Sequence, residues 1–244
     1  MDEGIALEAV RAGYGNTEVV RGITMVVGGS ETVALLGPNG CGKSTVAKTI
    51  MNLTTLHSGR IRWDGTDITS MPTYRRANLG LGYLPQVDCV FPGLTVGENL
   101  AFAVARVPKR ELQGRIDEVY SRFPLLASRK GVDAGKLSGG ERRLLGLATT
   151  IIQHPKFLIL DEPTSDLAPT AIDLVFDKIR EIRDDWHLPL LLIEQNVERA
   201  TELASRVCVL IQGTLACDRA CNEITHEEIG DMFLRREVQR GSAS

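Results

Sequence analysis

The sequence predicts an α/β protein: a parallel sheet with crossover helices, an antiparallel β segment near its start, and a helical insertion. Three observations predict it. Apolar runs of strand length alternate with helical patterns along the chain, the order that a parallel sheet with crossovers requires. A glycine-rich stretch joins one of those strands directly to a helix. Residues 87–136 interrupt the alternation with helix-like and loop-like sequence that lacks strand patterning.

Each element has its own signal. Residues 5–27 form the short apolar runs IALEAV and EVVRGITMVV around a turn at Gly13 to Asn16, which reads as antiparallel strands. TVALLG, Thr32 to Gly37, is a buried-strand pattern that stops in glycines, and STVAKTIMNL after it reads as a helix. The insertion holds VFPGLTVGENL and RIDEVYSRFPLLASRKG, with Pro92, Pro108 and Pro124 opposing strand formation. FLIL, LPLLLI and RVCVLIQG are three further short strands. Between the first two, TAIDLVFDKIREI puts Ile172, Val175, Phe176, Ile179 and Ile182 on one helical face. Residues 1–244 are expected to form one domain, with a core from 1–86 and 137–244 and a helical part at about 87–136.

The 244 residues are 43% apolar and 24% charged with a formal net charge of −3. That composition supports a sizeable core and excludes disordered and fibrous classes. A net negative charge without a basic stripe argues against a nucleic-acid partner. Five cysteines, an odd number in a chain this long, do not read as a disulfide framework. Cys217 and Cys221 have a helical or loop spacing and lack the second Cys/His pair of a metal site. A reducing, cytosolic compartment is expected. The start, MDEGIALEAV, is acidic where a signal peptide is basic and then apolar. No apolar run approaches the roughly 18 residues that span a bilayer, and LPLLLI is short and interrupted by Pro189. Work at a membrane would need another chain to hold this one there.

Two stretches carry chemistry. GPNGCGKST, composed of Gly37, Pro38, Asn39, Gly40, Cys41, Gly42, Lys43, Ser44 and Thr45, matches G-x-x-x-x-G-K-[ST] between a strand and a helix. Its glycines permit close backbone approach, so loop N–H groups and the helix N-terminus can face phosphates. Lys43 can reach terminal phosphates and Ser44 can ligate magnesium. This is a nucleoside triphosphate site on a P-loop NTPase core. FLILDEP then ends a second apolar strand in Asp161 and Glu162. Ligands sit beyond the carboxyl ends of such strands. Asp161 is expected to meet the magnesium, and Glu162 to polarise the water that attacks the γ-phosphate, with a base worth roughly 10²–10⁴-fold.

A third stretch, KLSGGERRLLGLATTII, opens a helix with the small residues Ser138, Gly139 and Gly140, followed by Glu141. With the phosphate loop and LILDEP in this order, the chain resembles the nucleotide-binding subunit of an ABC transporter from Tyr14 to about Gly213. The resemblance implies a RecA-like core and two subunits, identical or different, that sandwich two ATP molecules. Ser138, Gly139, Gly140 and Glu141 of one subunit would then contact the γ-phosphate gripped by the other. It also implies that Tyr14 stacks on adenine and that Gln86, in GYLPQ, touches the magnesium and the water. The insertion after Gln86 would dock on membrane permease subunits, placing the chain peripherally at the cytoplasmic face of the membrane.

Several positions depart from the family pattern. In LLIEQN, Gln195 stands where a switch histidine is usual; it can hydrogen-bond the γ-phosphate yet cannot carry a proton as an imidazole does. The loop TSDLAP, with Ala168 and Pro169, lacks the usual aspartate, and Glu141 replaces a commoner glutamine. Slower or asymmetric hydrolysis is the implication, whereas an intact Glu162 opposes a subunit that binds ATP without turnover. DEPTSDLAP, EQN and VFPGLTVGENL look like the ATPase subunit of branched-chain amino-acid uptake systems, which also use an external solute-binding protein. Importers for urea and short amides share these features. A soluble ABC-type ATPase that remodels nucleic acid or ribosomes is the competing class, opposed by the net charge and the absence of a coiled-coil insertion.

Overall fold

A hairpin of β1 (Ile5–Tyr14) and β2 (Thr17–Val27) begins the fold, antiparallel as the alternation of apolar residues predicts. The computed structural model describes residues 4–105 and 107–241. β3 (Thr32–Leu36) follows and leads through the glycine-rich loop into α1 (Lys43–Ile50). β4 (Thr55–Trp63) and β5 (Thr66–Asp67) return to the hairpin, giving an antiparallel sheet of order β2-β1-β4-β5. After α2 (Thr73–Asn78) and β6 (Leu81–Leu84), residues 87–136 hold α3 (Val96–Ala103), α4 (Lys109–Arg122) and α5 (Pro124–Ser128). The chain then runs α6 (Gly139–Ile151), β7 (Phe157–Asp161), α7 (Pro169–Trp186), β8 (Leu190–Glu194) and α8 (Val197–Leu203). β9 (Arg206–Ile211), β10 (Thr214–Ala220) and α9 (His226–Gly241) complete it.

The second sheet has the order β10-β9-β3-β8-β7-β6, and every neighbouring pair in it except β10 with β9 is parallel. Its central strands β3, β7 and β8 are buried at every position, which is why they read as unbroken apolar runs. Period-two alternation divides them between two cores. Ala34, Leu158, Leu160 and Leu192 join a core that also contains Leu147 of α6 and Phe176 of α7. Leu35, Phe157, Ile159 and Leu191 join the other, with Ala47 of α1 and the inner faces of β1 and β2. The parallel sheet is therefore clamped between helices on one side and α1 plus the antiparallel sheet on the other.

Three local features differ from the sequence expectation. The helix after the phosphate loop stops at Ile50 and does not run on to Leu53. Asn52 turns the chain at φ 57°, and fully buried Arg76 of α2 donates to the final carbonyls of α1, Thr49 O and Ile50 O. A cation capping a helix C-terminus is favoured by the helix dipole. β4 carries HSGRIRW, and its apolar alternation is confined to the last four residues, where Ile61 and Trp63 are buried and Arg60 and Arg62 are not. Cys217 lies in β10 and not in a helix or loop, because β10 pairs with β9 and puts Cys217 opposite Val209. Among the described residues, no helix is long and apolar enough to cross a membrane.

Candidate functional site

Four parallel strands deliver their chemistry at one edge of the sheet. β3 leads into the loop at 37–42, β6 leads to Gln86, β7 ends in Asp161 beside Glu162, and β8 ends in Glu194 beside Gln195. Parallel register makes this unavoidable, since all carboxyl ends share an edge. A cavity of about 790 Å³ opens there, lined by Tyr14, Asn39, Gly40, Gly42, Lys43, Ser44, Thr45, Gln86, Glu162 and Gln195, among others.

The loop's shape follows from its glycines. Gly42 adopts φ 109°, a conformation unfavourable for side-chain-bearing residues. At Gly37, a Cβ would lie 2.3 Å from the Leu210 carbonyl oxygen of β9, so only glycine fits. Gly37, Pro38 and Cys41 do not line the cavity; their carbonyls hold Lys43 and the turn before β10. The carbonyls of Gly37 and Pro38 accept from Lys43 Nζ at 2.9 and 3.4 Å, and buried Cys41 accepts the Gly213 N–H through its carbonyl at 2.9 Å. α1 has neither a side-chain cap nor an acidic residue in its first turn. Its N-terminal donors thus face the cavity, the arrangement that binds anions.

Glu162 is the hub of the site. Lys43 Nζ lies 3.3 Å from its Oε1, and both Gln86 Nε2 and Gln195 Nε2 donate to its Oε2 at 2.9 Å. Its φ of 46° is left-handed, a conformation that costs on the order of 1–3 kcal/mol outside glycine. The turn swings the carboxylate out of the strand toward the cavity. Asp161 is fully buried. Its Oδ1 accepts from Ser44 Oγ at 2.9 Å and its Oδ2 from Tyr83 OH at 3.0 Å. Burial raises its pKa above the usual carboxylate range, a rise these two hydrogen bonds oppose.

Tyr14, exposed at the end of β1, and Val19 offer an apolar wall to the same cavity. Ser138, Gly139, Gly140 and Glu141 are elsewhere: none lines it. They form the start of α6, where Ser138 Oγ accepts the Glu141 N–H at 3.2 Å and Glu141 Oε2 accepts the Ser138 N–H at 2.8 Å. That reciprocal pair closes a capping box, and Arg129 Nε at 3.4 Å from Glu141 Oε1 gives the carboxylate an ion pair that a glutamine would lack. Ser138 and Gly139 are exposed, while Gly140 is packed so that a Cβ would lie 2.7 Å from Ala171 Cβ.

Sequence reading missed four contributors. Tyr83 supports Asp161, Thr164 and Glu194 meet beneath the cavity at 2.6 Å, and Arg143 of α6 donates to the carbonyls of Pro85 and Gln86 at 2.8 and 2.7 Å. Tyr83, Thr164 and Arg143 match no chemical pattern with their sequence neighbours, and only the charge of Glu194 inside LLLIEQN offered a local signal.

Comparison with known proteins agrees with this geometry. The model of the ABC transporter family matches residues 20–165. The probable branched-chain amino acid transport ATP-binding protein LivF of Archaeoglobus fulgidus is 42% identical over 219 residues, covering 90% of this chain and 93% of that protein. The high-affinity branched-chain amino acid transport ATP-binding protein BraG of Pseudomonas aeruginosa is 32% identical over 231 residues, 94% of this chain and 99% of that protein. Among solved structures, CbiO1 of Clostridium perfringens, part of the ABC transporter complex CbiONQ, has a TM-score of 0.82 at 23% identity, covering 99% of this chain and 100% of that one. A phosphate loop, a strand ending in paired carboxylates and a family match across more than half the chain lead to one conclusion: the protein belongs to the ABC transporter family, as an ATP-binding and ATP-hydrolysing subunit.

Proposed function

We propose that the chain powers an importer for branched-chain amino acids, with ATP hydrolysed at the cavity around Lys43 and Glu162. The observation that carries the hydrolytic part is the convergence of Lys43, Gln86 and Gln195 on Glu162, whose carboxylate is held by donors from three separate segments. The likeness to LivF and BraG supports the solute.

In this reading the loop at 37–45 and the open N-terminus of α1 bind the phosphates, and Lys43 exchanges its carbonyl partners for phosphate oxygens. Glu162 takes the proton of the attacking water, while Gln86 and Gln195 orient that water and the carboxylate. Tyr14 provides a face on which the base stacks. Asp161, Glu162 and Glu194 are three buried carboxylates, and Lys43 Nζ lies 3.3 Å from one of them, Glu162; that concentration of negative charge fits a divalent cation. Among the described residues, no cluster of three or more His, Cys, Asp or Glu forms a metal cage. Magnesium takes few protein ligands and completes its shell with water and phosphates. Ser44 and Asp161, with Gln86 nearby, would hold it, and its chemistry there is neutralisation of phosphate charge.

A second ATPase subunit, identical or different, would complete the site through its own Ser138 to Glu141 turn. The exposed position of Ser138 and Gly139, away from this chain's own cavity, supports that arrangement. Permease subunits would hold the assembly at the cytoplasmic face of the membrane, with an external binding protein supplying the solute. The test is a Glu162→Gln exchange in cells assayed for leucine, isoleucine and valine uptake. Loss of uptake, with ATP retained on the purified protein, is expected. Normal uptake of all three beside abolished turnover would reject the solute while leaving the hydrolytic reading intact.

A further inference from the structure

Glu194 is a buried carboxylate to which the reading above gives no step. It ends β8, paired in register with Leu36 at the end of β3, is only 4% exposed, and lines the cavity. An ionisable group is tolerated in such a place when its oxygens are matched by donors. Both are. Oε1 accepts the Thr164 hydroxyl at 2.6 Å, and Oε2 accepts the backbone N–H of Gln195 at 3.1 Å. Burial raises the Glu194 pKa, and the hydrogen bonds from Thr164 and Gln195 oppose that rise.

The two donors flank the hub of the site. Thr164 lies two residues beyond Glu162, on the loop that leaves β7. Gln195 sends its own carboxamide back to Glu162 Oε2 at 2.9 Å. Glu194 thus ties the segment that carries Glu162 to the segment that steadies it. An apolar residue would suit the end of this buried strand without any desolvation, so the carboxylate is there for its two acceptor atoms.

We propose that Glu194 is a positioning residue for hydrolysis: by holding Thr164 and the Gln195 backbone together, it keeps the Gln195 carboxamide aimed at Glu162. The proposal rests on the reading of Glu162 as the base. It acts on turnover and not on nucleotide grip, because the loop around Lys43 makes no contact with Glu194 in its hydrogen-bond set.

The test is steady-state ATP turnover and binding of a fluorescent ATP analogue by the full chain carrying Glu194→Ala, Glu194→Gln, Gln195→Ala or Glu162→Gln. Glu194→Ala is expected to lower kcat about tenfold, the size expected for hydrogen bonds to a buried charge, with KM and nucleotide affinity within about twofold of the parent. Glu194→Gln is expected to restore most of that loss: its oxygen can accept the Gln195 N–H, while the Thr164 hydroxyl rotates to accept from its amide. Combined with Gln195→Ala, the Glu194→Ala loss is expected to shrink, as it must if the effect passes through Gln195. Parental kcat in Glu194→Ala, equal losses in affinity and kcat, or full additivity with Gln195→Ala would each overturn the proposal. Should Glu194→Ala fail to fold, Thr164→Val removes the same bond from the other side. Reduced kcat at unchanged affinity supports the proposal, and parental kcat overturns it. Glu162→Gln separates the two readings. If it keeps turnover, the base assignment fails; if it abolishes turnover while Glu194→Ala does not, only the role of Glu194 fails.

Discussion

Ser44 Oγ donates to Asp161 Oδ1 at 2.9 Å, although the two are 117 positions apart in the chain and a whole strand, β8, lies between their strands. The bond ties the helix that begins at the phosphate loop to the strand that presents the carboxylates. It exists because β3 and β7 are both parallel to β8, which levels their carboxyl ends. Tyr83, on the next strand, donates to the other oxygen of the same carboxylate. A loop, a helix start and two strands are therefore braced through one buried aspartate.

Asp161 makes stability depend on pH with a definite sign. Burial raises its carboxyl pKa in the folded state, while the unfolded carboxyl ionises near pH 3.9. Between that value and the raised one, the unfolded chain has released its proton and the folded chain has not, so folding stability falls as pH rises. Above the raised value the loss is constant. Asp161→Asn carries no such charge. Nucleotide-free Asp161→Asn is expected to melt about 2–4 °C above the parent at pH 7 and close to it near pH 4, while ATP turnover drops by about 100-fold or more. Calorimetry at the two pH values checks this; a variant less stable than its parent at pH 7 refutes it.

Tyr83→Phe removes one of the two donors to Asp161 and leaves a buried acceptor unmatched, a loss of about 1–3 kcal/mol. The magnesium concentration for half-maximal ATP turnover is expected to rise, because the carboxylate is less firmly oriented. Titration of magnesium at fixed ATP measures it, and an unchanged midpoint would remove Tyr83 from the site.

Arg76 is fully buried, and burial lowers its pKa to about 10. Its guanidinium donates to five carbonyls, those of Thr49, Ile50, Ile68, Thr69 and Met71. Arg76→Ala leaves all five without this donor and opens a cavity beside α1. A loss of about 3–5 kcal/mol is expected from the urea midpoint. Arg76→Lys, with three donors on a single nitrogen, recovers only part of it. Since α1 starts at Lys43, nucleotide affinity is expected to weaken in parallel.

Gly37→Ala sets a Cβ 2.3 Å from a backbone oxygen of β9, and no side-chain movement relieves that contact. The phosphate loop must shift, so ATP binding is expected to fall by about tenfold or more. Gly40→Ala is the control: a Cβ there meets nothing within 4 Å, although φ is 70°. The Gly40 variant is expected to lose less affinity in the same titration, and equal losses would mean that backbone conformation outweighs the Leu210 contact.

The residues near one another in sequence were legible as sequence. GPNGCGKST was readable as a glycine-rich turn running into a helix because a loop's conformational freedom and a helix's first turn are local properties. FLIL, LPLLLI and TVALLG declared buried strands because burial on both faces leaves an unbroken apolar run. Gln86 and Gln195 were found through family resemblance, not through any pattern of their own. β4 escaped because its alternation covers only RIRW and the residues before it are mostly polar or glycine, and the end of α1 escaped because its stop is supplied by Arg76, 26 residues further on. What only the tertiary structure decided is convergence: that Tyr83 and Ser44 share one carboxylate, that three donors meet on Glu162, and that Glu194 joins Thr164 to Gln195. Local patterning specifies which strand ends in a charge. The strand order and parallel register place those ends side by side, and burial there gives each hydrogen bond its consequence.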